Sequence, residues 1–280
     1  MELAPVTNIR NLNPSMSPLD YYGSELRRLR EAARLSQKQL GEILSYTGSL
    51  IGQIETARKC PTPEFTERAD AALGAGGSLI RLLDLVLKSA LPPWFQAYAD
   101  AESNATHIYT YQAQLVDGLL QTEAYARAVL GVLRQENLDD RVTARLARQK
   151  ILRREYPPLV WTILDEAVLY RPIGGLDVMR NQLAHLLASR DEEWVNVQIL
   201  PFAAGAHAGL KGTFSILRLP NEPDIAYAEG YGSSHATVNP PDVKARSLRY
   251  DHLQAGALSV EDSAELITQV MEERYAEQQP

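Results

Sequence analysis

Residues 26–55 read LRRLREAARLSQKQLGEILSYTGSLIGQIE, and their spacing decides the fold of the first third of the chain. Leu26, Leu29 and Ala33 recur at helical intervals, with Arg27, Arg28, Arg30 and Glu31 on the other face. Ser36 offers an N-cap hydroxyl to a second, short helix with Leu40, Ile43 and Leu44 inward. Ser45, Tyr46, Thr47 and Gly48 break that helix. Thr47 then caps a third, where Leu50, Ile51 and Ile54 form one apolar side. On the N-terminal side, residues 1–19 carry Pro5, Pro14 and Pro18 without an apolar period and read as a flexible arm, with the first helix starting near Tyr22. On the C-terminal side, Pro61 and Pro63 close the third helix. A fourth runs over 63–73, Gly74, Gly76 and Gly77 stop it, and 78–91 is a fifth.

Pro92 and Pro93 mark a boundary, after which the texture changes. Helices are expected over 94–104, 123–133, 139–155, 176–189, 243–255 and 259–275. Residues 108–112, 159–164, 195–200, 213–219 and 225–228 are rich in β-formers and read as strands. The fold class is α+β and mostly helical. An arm (1–19) and an all-α unit (20–90) precede a mixed α/β C-terminal domain (91–280).

Short helices with a tight turn between the second and third form a helix-turn-helix pattern. Such a unit sets its second helix across the DNA backbone and presents small or polar side chains of the third to base edges in the major groove. Gln37 and Lys38 open the second helix; Thr47, Gly48, Ser49 and Leu50 open the third, and Gln53 follows one turn later. Small residues at 48 and 49 allow close approach to DNA. Gln53 suits a bidentate contact to adenine, and Arg58 and Lys59 suit phosphates. The same layout also fits a helical bundle with no DNA role.

Resemblance favours the first reading. The order LRxLRExAxLSQxxL, then IxxIE over 51–55, then Pro61 resembles the Xre-type helix-turn-helix, over about residues 22–75. Gly52 and Gln53 stand where many relatives carry Ser-Arg. Farther on, GLLQTEAYARA over 118–128 is similar to a signature of WhiJ-like actinobacterial regulators. So are RLARQ over 145–149, DEA over 165–167 with RPIGG over 171–175, QLAHL over 182–186, and VQILPF over 197–202 with Gly205, Ala206 and His207. The resemblance implies a transcriptional regulator of antitoxin-like or developmental type. One helix-turn-helix unit buries too little surface for tight specific binding, so a homodimer on a palindromic double-stranded operator is expected. A small BldB-like protein encoded nearby, or an unidentified small-molecule effector, would control it through the C-terminal domain.

Composition sets the outer limits. The chain has 280 residues, 45% hydrophobic and 22% charged, and no apolar run approaching a membrane-spanning length. The N-terminus has no secretory h-region, so a cytoplasmic, nucleoid-associated protein is expected. One cysteine, Cys60, makes no intrachain disulfide. The net charge of -7 repels nucleic acid, yet residues 20–60 hold seven basic side chains against five acidic ones.

The C-terminal domain offers further candidates. Gln121, Thr122 and Tyr125 fit either a recognition loop for an effector or partner, or a strand-to-helix turn with Thr122 as cap and Tyr125 inward. His207 and Lys211 lie on a glycine-rich loop (201–212) suited to binding, or simply to a long connection. Trp94, Trp161 and Trp194 fit core more readily than a pocket. Arg145, Arg148, Arg153 and Arg154 read as a solvated face more readily than a DNA contact. A hydrolytic enzyme would draw on Asp165, Glu166, Glu229, His207 and His235, but no GxSxG elbow, nucleotide fingerprint or metal motif accompanies them. The expectation is a regulator that is not an enzyme, with no cofactor, metal or membrane.

Overall fold

The structure, a computed structural model, describes residues 13–132, 137–230 and 233–276. Residues 1–12 of the expected arm and Leu133 at an expected helix end lie outside the described residues. The chain forms two units: Met1–Leu91 with Asn137–Ala147, and Pro92–Glu136 with Arg148–Pro280.

The first unit is all-helical in its described residues. The Ser17 hydroxyl accepts the Asp20 N–H and Pro18 takes the first helical position, so α1 (Pro18–Ala32) begins ahead of Tyr22. A reciprocal capping box between Ser36 and Gln39 starts α2 (Gln37–Leu44), which ends on Ser45 in the left-handed region. Thr47 caps α3 (Gly48–Glu55), and Thr62 caps α4 (Pro63–Ala72). Gly77 has no side chain to cap α5 (Ser78–Ser89). The Asp70 carboxylate does so instead, accepting the Gly77 N–H at 2.7 Å and the Leu79 N–H at 3.0 Å. The apolar stripes meet in one core of Tyr22, Leu26, Leu40, Ile51, Ile54, Phe65 and Leu79. Each such side chain contributes roughly 1.5–3 kcal/mol by leaving water. Ile43, expected inward, is 56% exposed. From the second segment of this unit, the Asp140 carboxylate accepts the Cys60 N–H.

The second unit is built on a six-stranded sheet of order β3-β2-β1-β4-β5-β6. Its elements in chain order are α6 (Pro93–Asn104), β1 (His107–Gln112), α7 (Glu123–Leu130), α8 (Leu138–Arg148, shared with the first unit), β2 (Leu159–Asp165), α9 (Ala167–Tyr170) and α10 (Leu176–Ala188). There follow β3 (Val195–Leu200), β4 (Phe214–Arg218), β5 (Ile225–Gly230), β6 (Ser233–Thr237), α11 (Pro240–Gly256) and α12 (Val260–Tyr275). β1, β2 and β3 are parallel; β4, β5 and β6 add on antiparallel. Side-chain alternation splits the core between two faces. Leu164, Val197 and Ile199 pack with α10 and α12, while Ile163, Leu200 and Ile216 pack with Tyr250 and Leu253 of α11.

Several elements differ from expectation: α9 is an added single turn, and α11 starts three residues before 243. β6, SSHAT, is polar and forms by pairing with β5 at the sheet edge. The helix expected over 139–155 ends at Arg148 and tightens into a 3-10 turn, Gln149–Arg153. Tertiary hydrogen bonds hold it there: Gln149 donates to the Gly118 and Gln121 carbonyls, and Arg154 to those of Ser103 and Ala105, with a local bond to that of Tyr156. The buried Glu102 carboxylate receives two bonds from Arg148, both 2.8 Å. Arg148 and Arg154 are therefore structural, not a solvated face.

Candidate nucleic-acid interface

The geometry of the first unit is fixed by contacts too close for a side chain. A Cβ on Gly41 would lie 2.7 Å from the Tyr46 carbonyl oxygen and 2.9 Å from the Gly48 nitrogen. α2 thus packs directly on the backbone of the turn that leads into α3. A Cβ on Gly48 would meet the Lys38 backbone at 3.0 Å. The small residue at 48 thus serves the approach of α3 to α2.

A buried polar network ties α1, α2 and α3 together. Glu55, fully buried, accepts from Arg30 Nε and Nη2 and from Gln37 Nε2 at 2.8 Å. The Glu55 hydrogen bonds raise the Arg30 pKa further, so the guanidinium stays charged. Arg30 Nη1 also donates to the Leu35 carbonyl at 2.7 Å. The bare Cα of Gly52 leaves room for this arrangement, since a Cβ there would sit 3.1 Å from Gln37 Oε1. Arg27 adds its charge at 3.7 Å from Glu55.

These residues wall a groove of about 730 Å³. Gln37, Lys38, Ser49, Gln53 and Arg58 of the expected DNA-binding set line it together. Lys38, Ser49, Gln53 and Arg58 are exposed, whereas Gln37 is half-buried and held by Glu55. Thr47 and Lys59 are exposed but outside the groove lining. The Thr47 hydroxyl is engaged as cap to the Leu50 N–H at 3.2 Å. Leu50 packs against the core, as its place on the apolar side of α3 predicts, and has only part of its surface to offer. The expected set lacks Arg27, Arg30, Glu31, Ser36, Gly52 and Thr56 of the lining. Arg27 was legible in principle, one turn before Arg30 on the same helix face. Cys60, just beyond α3, is buried, and burial pushes its thiol up to about 12, so it is no nucleophile at neutral pH.

The effector candidates of the second unit fall apart as a site. Gln121 and Tyr125 are buried, with Gln121 donating to the Val116 carbonyl at 2.7 Å and the Tyr125 hydroxyl accepting the Val116 N–H at 3.2 Å. Thr122 caps α7. Lys211 is exposed on its loop. His207 is instead drawn toward Asp165 at 3.7 Å, where Tyr111 also donates to Asp165 at 3.1 Å. Of the remaining acid/base candidates, Glu166 is spent on the Phe202 N–H and the Tyr170 hydroxyl. His235 is exposed on β6. Glu229 lies on β5 opposite Ser234. The tryptophans share no pocket: Trp161 and Trp194 join different core clusters, and Trp94 is 40% exposed. Among the described residues no group of three or more metal-ligating side chains comes together, and no helix is long and apolar enough to cross a membrane.

Comparison with known families matches the chain in two stretches. Residues 22–83 match a helix-turn-helix domain. Residues 95–269 match a domain of unknown function, DUF5753. No curated protein and no solved structure matches the chain. The helix-turn-helix match points to a DNA-binding regulator. With the longer match covering more than half of its length, the chain belongs to the DUF5753 family and carries a helix-turn-helix domain at its N-terminus.

Proposed function

We propose that the protein is a sequence-specific transcriptional regulator that reads its operator with the N-terminal groove. The observation that carries this reading is the convergence of Ser49 and Gln53 with Arg27, Lys38 and Arg58 on one open surface. Lys38 and Arg58 position the backbone of the duplex, and Ser49 and Gln53 face base edges. A single unit of this size buries little DNA surface, so the protein acts as a homodimer on a palindrome. Its resemblance to WhiJ-like regulators supports an antitoxin-like or developmental role, with control by a small BldB-like partner or an effector.

Fluorescence anisotropy on the DNA upstream of its own gene, against scrambled DNA over a salt series, tests the reading. Specific binding with a slope of about −0.9 per phosphate contact is expected. Equal, weak binding to both DNAs would overturn it. Gln53→Ala is expected to cost roughly 1–3 kcal/mol of discrimination at one base step. Because Gln53 is exposed, unfolding should shift by no more than about 0.5 kcal/mol. Unchanged operator preference in that variant would remove Gln53 from the reading set.

A further inference from the structure

A small cavity lies inside the second unit, and none of the residues expected to bind an effector lines it, although Gln121 and Thr122 adjoin its wall. Its volume is about 160 Å³. The floor is apolar: Leu119 and Leu120 of the 3-10 turn before α7, Leu152 of the turn after α8, and Val195 at the start of β3. Arg153 and Glu192 also line it, and both are exposed. Among the described residues neither has a side-chain hydrogen bond or an ion pair, with each other or with a third group. That sets them apart from Arg148 and Arg154 nearby, whose donors are engaged.

The floor is held in place before any ligand arrives. Gln149 donates to the Gly118 and Gln121 carbonyls at 3.1 and 2.7 Å. Gln182, fully buried, donates to the Leu120 carbonyl at 2.7 Å and accepts the Thr122 N–H at 2.8 Å. The sequence stretch 118–127 thus shapes the wall of a cavity without itself making polar contacts to a guest. His185 lines the same space; burial and the Arg153 charge lower its pKa, so it is uncharged at neutral pH. The mouth then presents one cation and one anion.

We propose that this cavity is an effector site for a small aliphatic α-amino acid, with its carboxylate on Arg153, its ammonium on Glu192 and its side chain on the leucine and valine floor. Size and charge both select this class. Pockets for drug-sized ligands span roughly 300–1,000 Å³, so this one takes a guest on the order of a single amino acid. A simple carboxylic acid would meet Glu192 with like charge, and a simple amine would meet Arg153 with like charge. A zwitterion satisfies both, and a guanidinium–carboxylate pair in a partly desolvated mouth is the stronger kind of hydrogen bond.

Calorimetric titration of the full chain with L-leucine and L-valine tests this without reference to DNA. Saturable one-site binding is expected for at least one of them. Isocaproate, which lacks the ammonium, and isoamylamine, which lacks the carboxylate, should bind at least tenfold more weakly. Arg153→Met and Glu192→Gln should each weaken amino-acid binding at least tenfold, with ligand-free thermal midpoints unchanged because both side chains are exposed. Absence of binding by both amino acids, isocaproate binding as tightly as leucine, or undiminished affinity in both variants would each overturn the proposal.

Discussion

Glu55→Ala is expected to destabilise the first unit by about 3–5 kcal/mol, the usual cost of leaving a buried charge unpaired. The carboxylate is fully buried, and its oxygens receive two bonds from Arg30 and one from Gln37. Without it the Arg30 guanidinium keeps only the Leu35 carbonyl and the exposed Glu31, at 3.5 Å. Exposed pairs give the contrast. Glu25 accepts from Arg28 at 2.6 Å, but the arginine is 62% exposed and screened by water, so Glu25→Ala should leave the unfolding midpoint nearly unchanged. Replacing both Arg30 and Glu55 by methionine should recover part of the loss, because two apolar side chains carry no desolvation cost. Tryptophan fluorescence will not report this, since Trp94, Trp161 and Trp194 all lie in the second unit. Denaturation followed by far-UV circular dichroism, with amide exchange at α3, reads it directly. A loss below about 1 kcal/mol would mean the network adds little to the fold.

Whether a feature of the fold is legible in the sequence depends on whether its signal is local. Helix starts were legible where a side chain caps its own helix, as at Ser36, Thr47, Thr122 and Ser259. β3 was legible because Val195, Val197, Ile199 and Leu200 crowd apolar bulk into six residues, over the same bounds that the structure shows. Groups whose partners are distant in sequence were not legible. Glu55 appears in the chain as the end of a short helix; its meaning depends on Arg30 and Gln37, 25 and 18 positions away. Asp70 caps a helix other than its own. Arg148 and Arg154 look like a solvated face until Glu102 and three carbonyls are placed beside them. The candidate site follows the same rule. Lys38, Ser49, Gln53 and Arg58 were found by position relative to two caps, whereas Arg27 joins them across the packing of α1 on α3, and its spacing from Arg30 is its one local mark.

Two glycines in that packing should respond to the same substitution to very different degrees. Gly→Ala within a helix gains up to about 1 kcal/mol from propensity alone, and both Gly41 and Gly52 are helical. At Gly41 the new methyl meets only backbone: the Tyr46 oxygen at 2.7 Å, the Gly48 nitrogen at 2.9 Å and the Thr47 carbonyl carbon at 3.0 Å. Backbone cannot swing aside, so the turn must move and carry the start of α3 with it. Overpacking of this kind costs about 1–3 kcal/mol, which cancels the propensity gain or exceeds it. The larger effect falls on function, because Ser49 and Gln53 ride on the displaced helix. Gly41→Ala is expected to lose at least tenfold in specific operator affinity while leaving the second unit's tryptophan spectrum untouched. At Gly52 the methyl meets the end of the Gln37 side chain at 3.1 Å, which rotates away at the loss of one hydrogen bond to Glu55. That loss, about 1.5–3 kcal/mol for a bond to a charged group, is offset in part by propensity and by water at the open groove. Gly52→Ala should therefore fold and hold its operator within a few-fold of the parent. Anisotropy titrations of the two variants side by side decide the point. If Gly41→Ala binds as tightly as Gly52→Ala, the turn is not what aims the third helix.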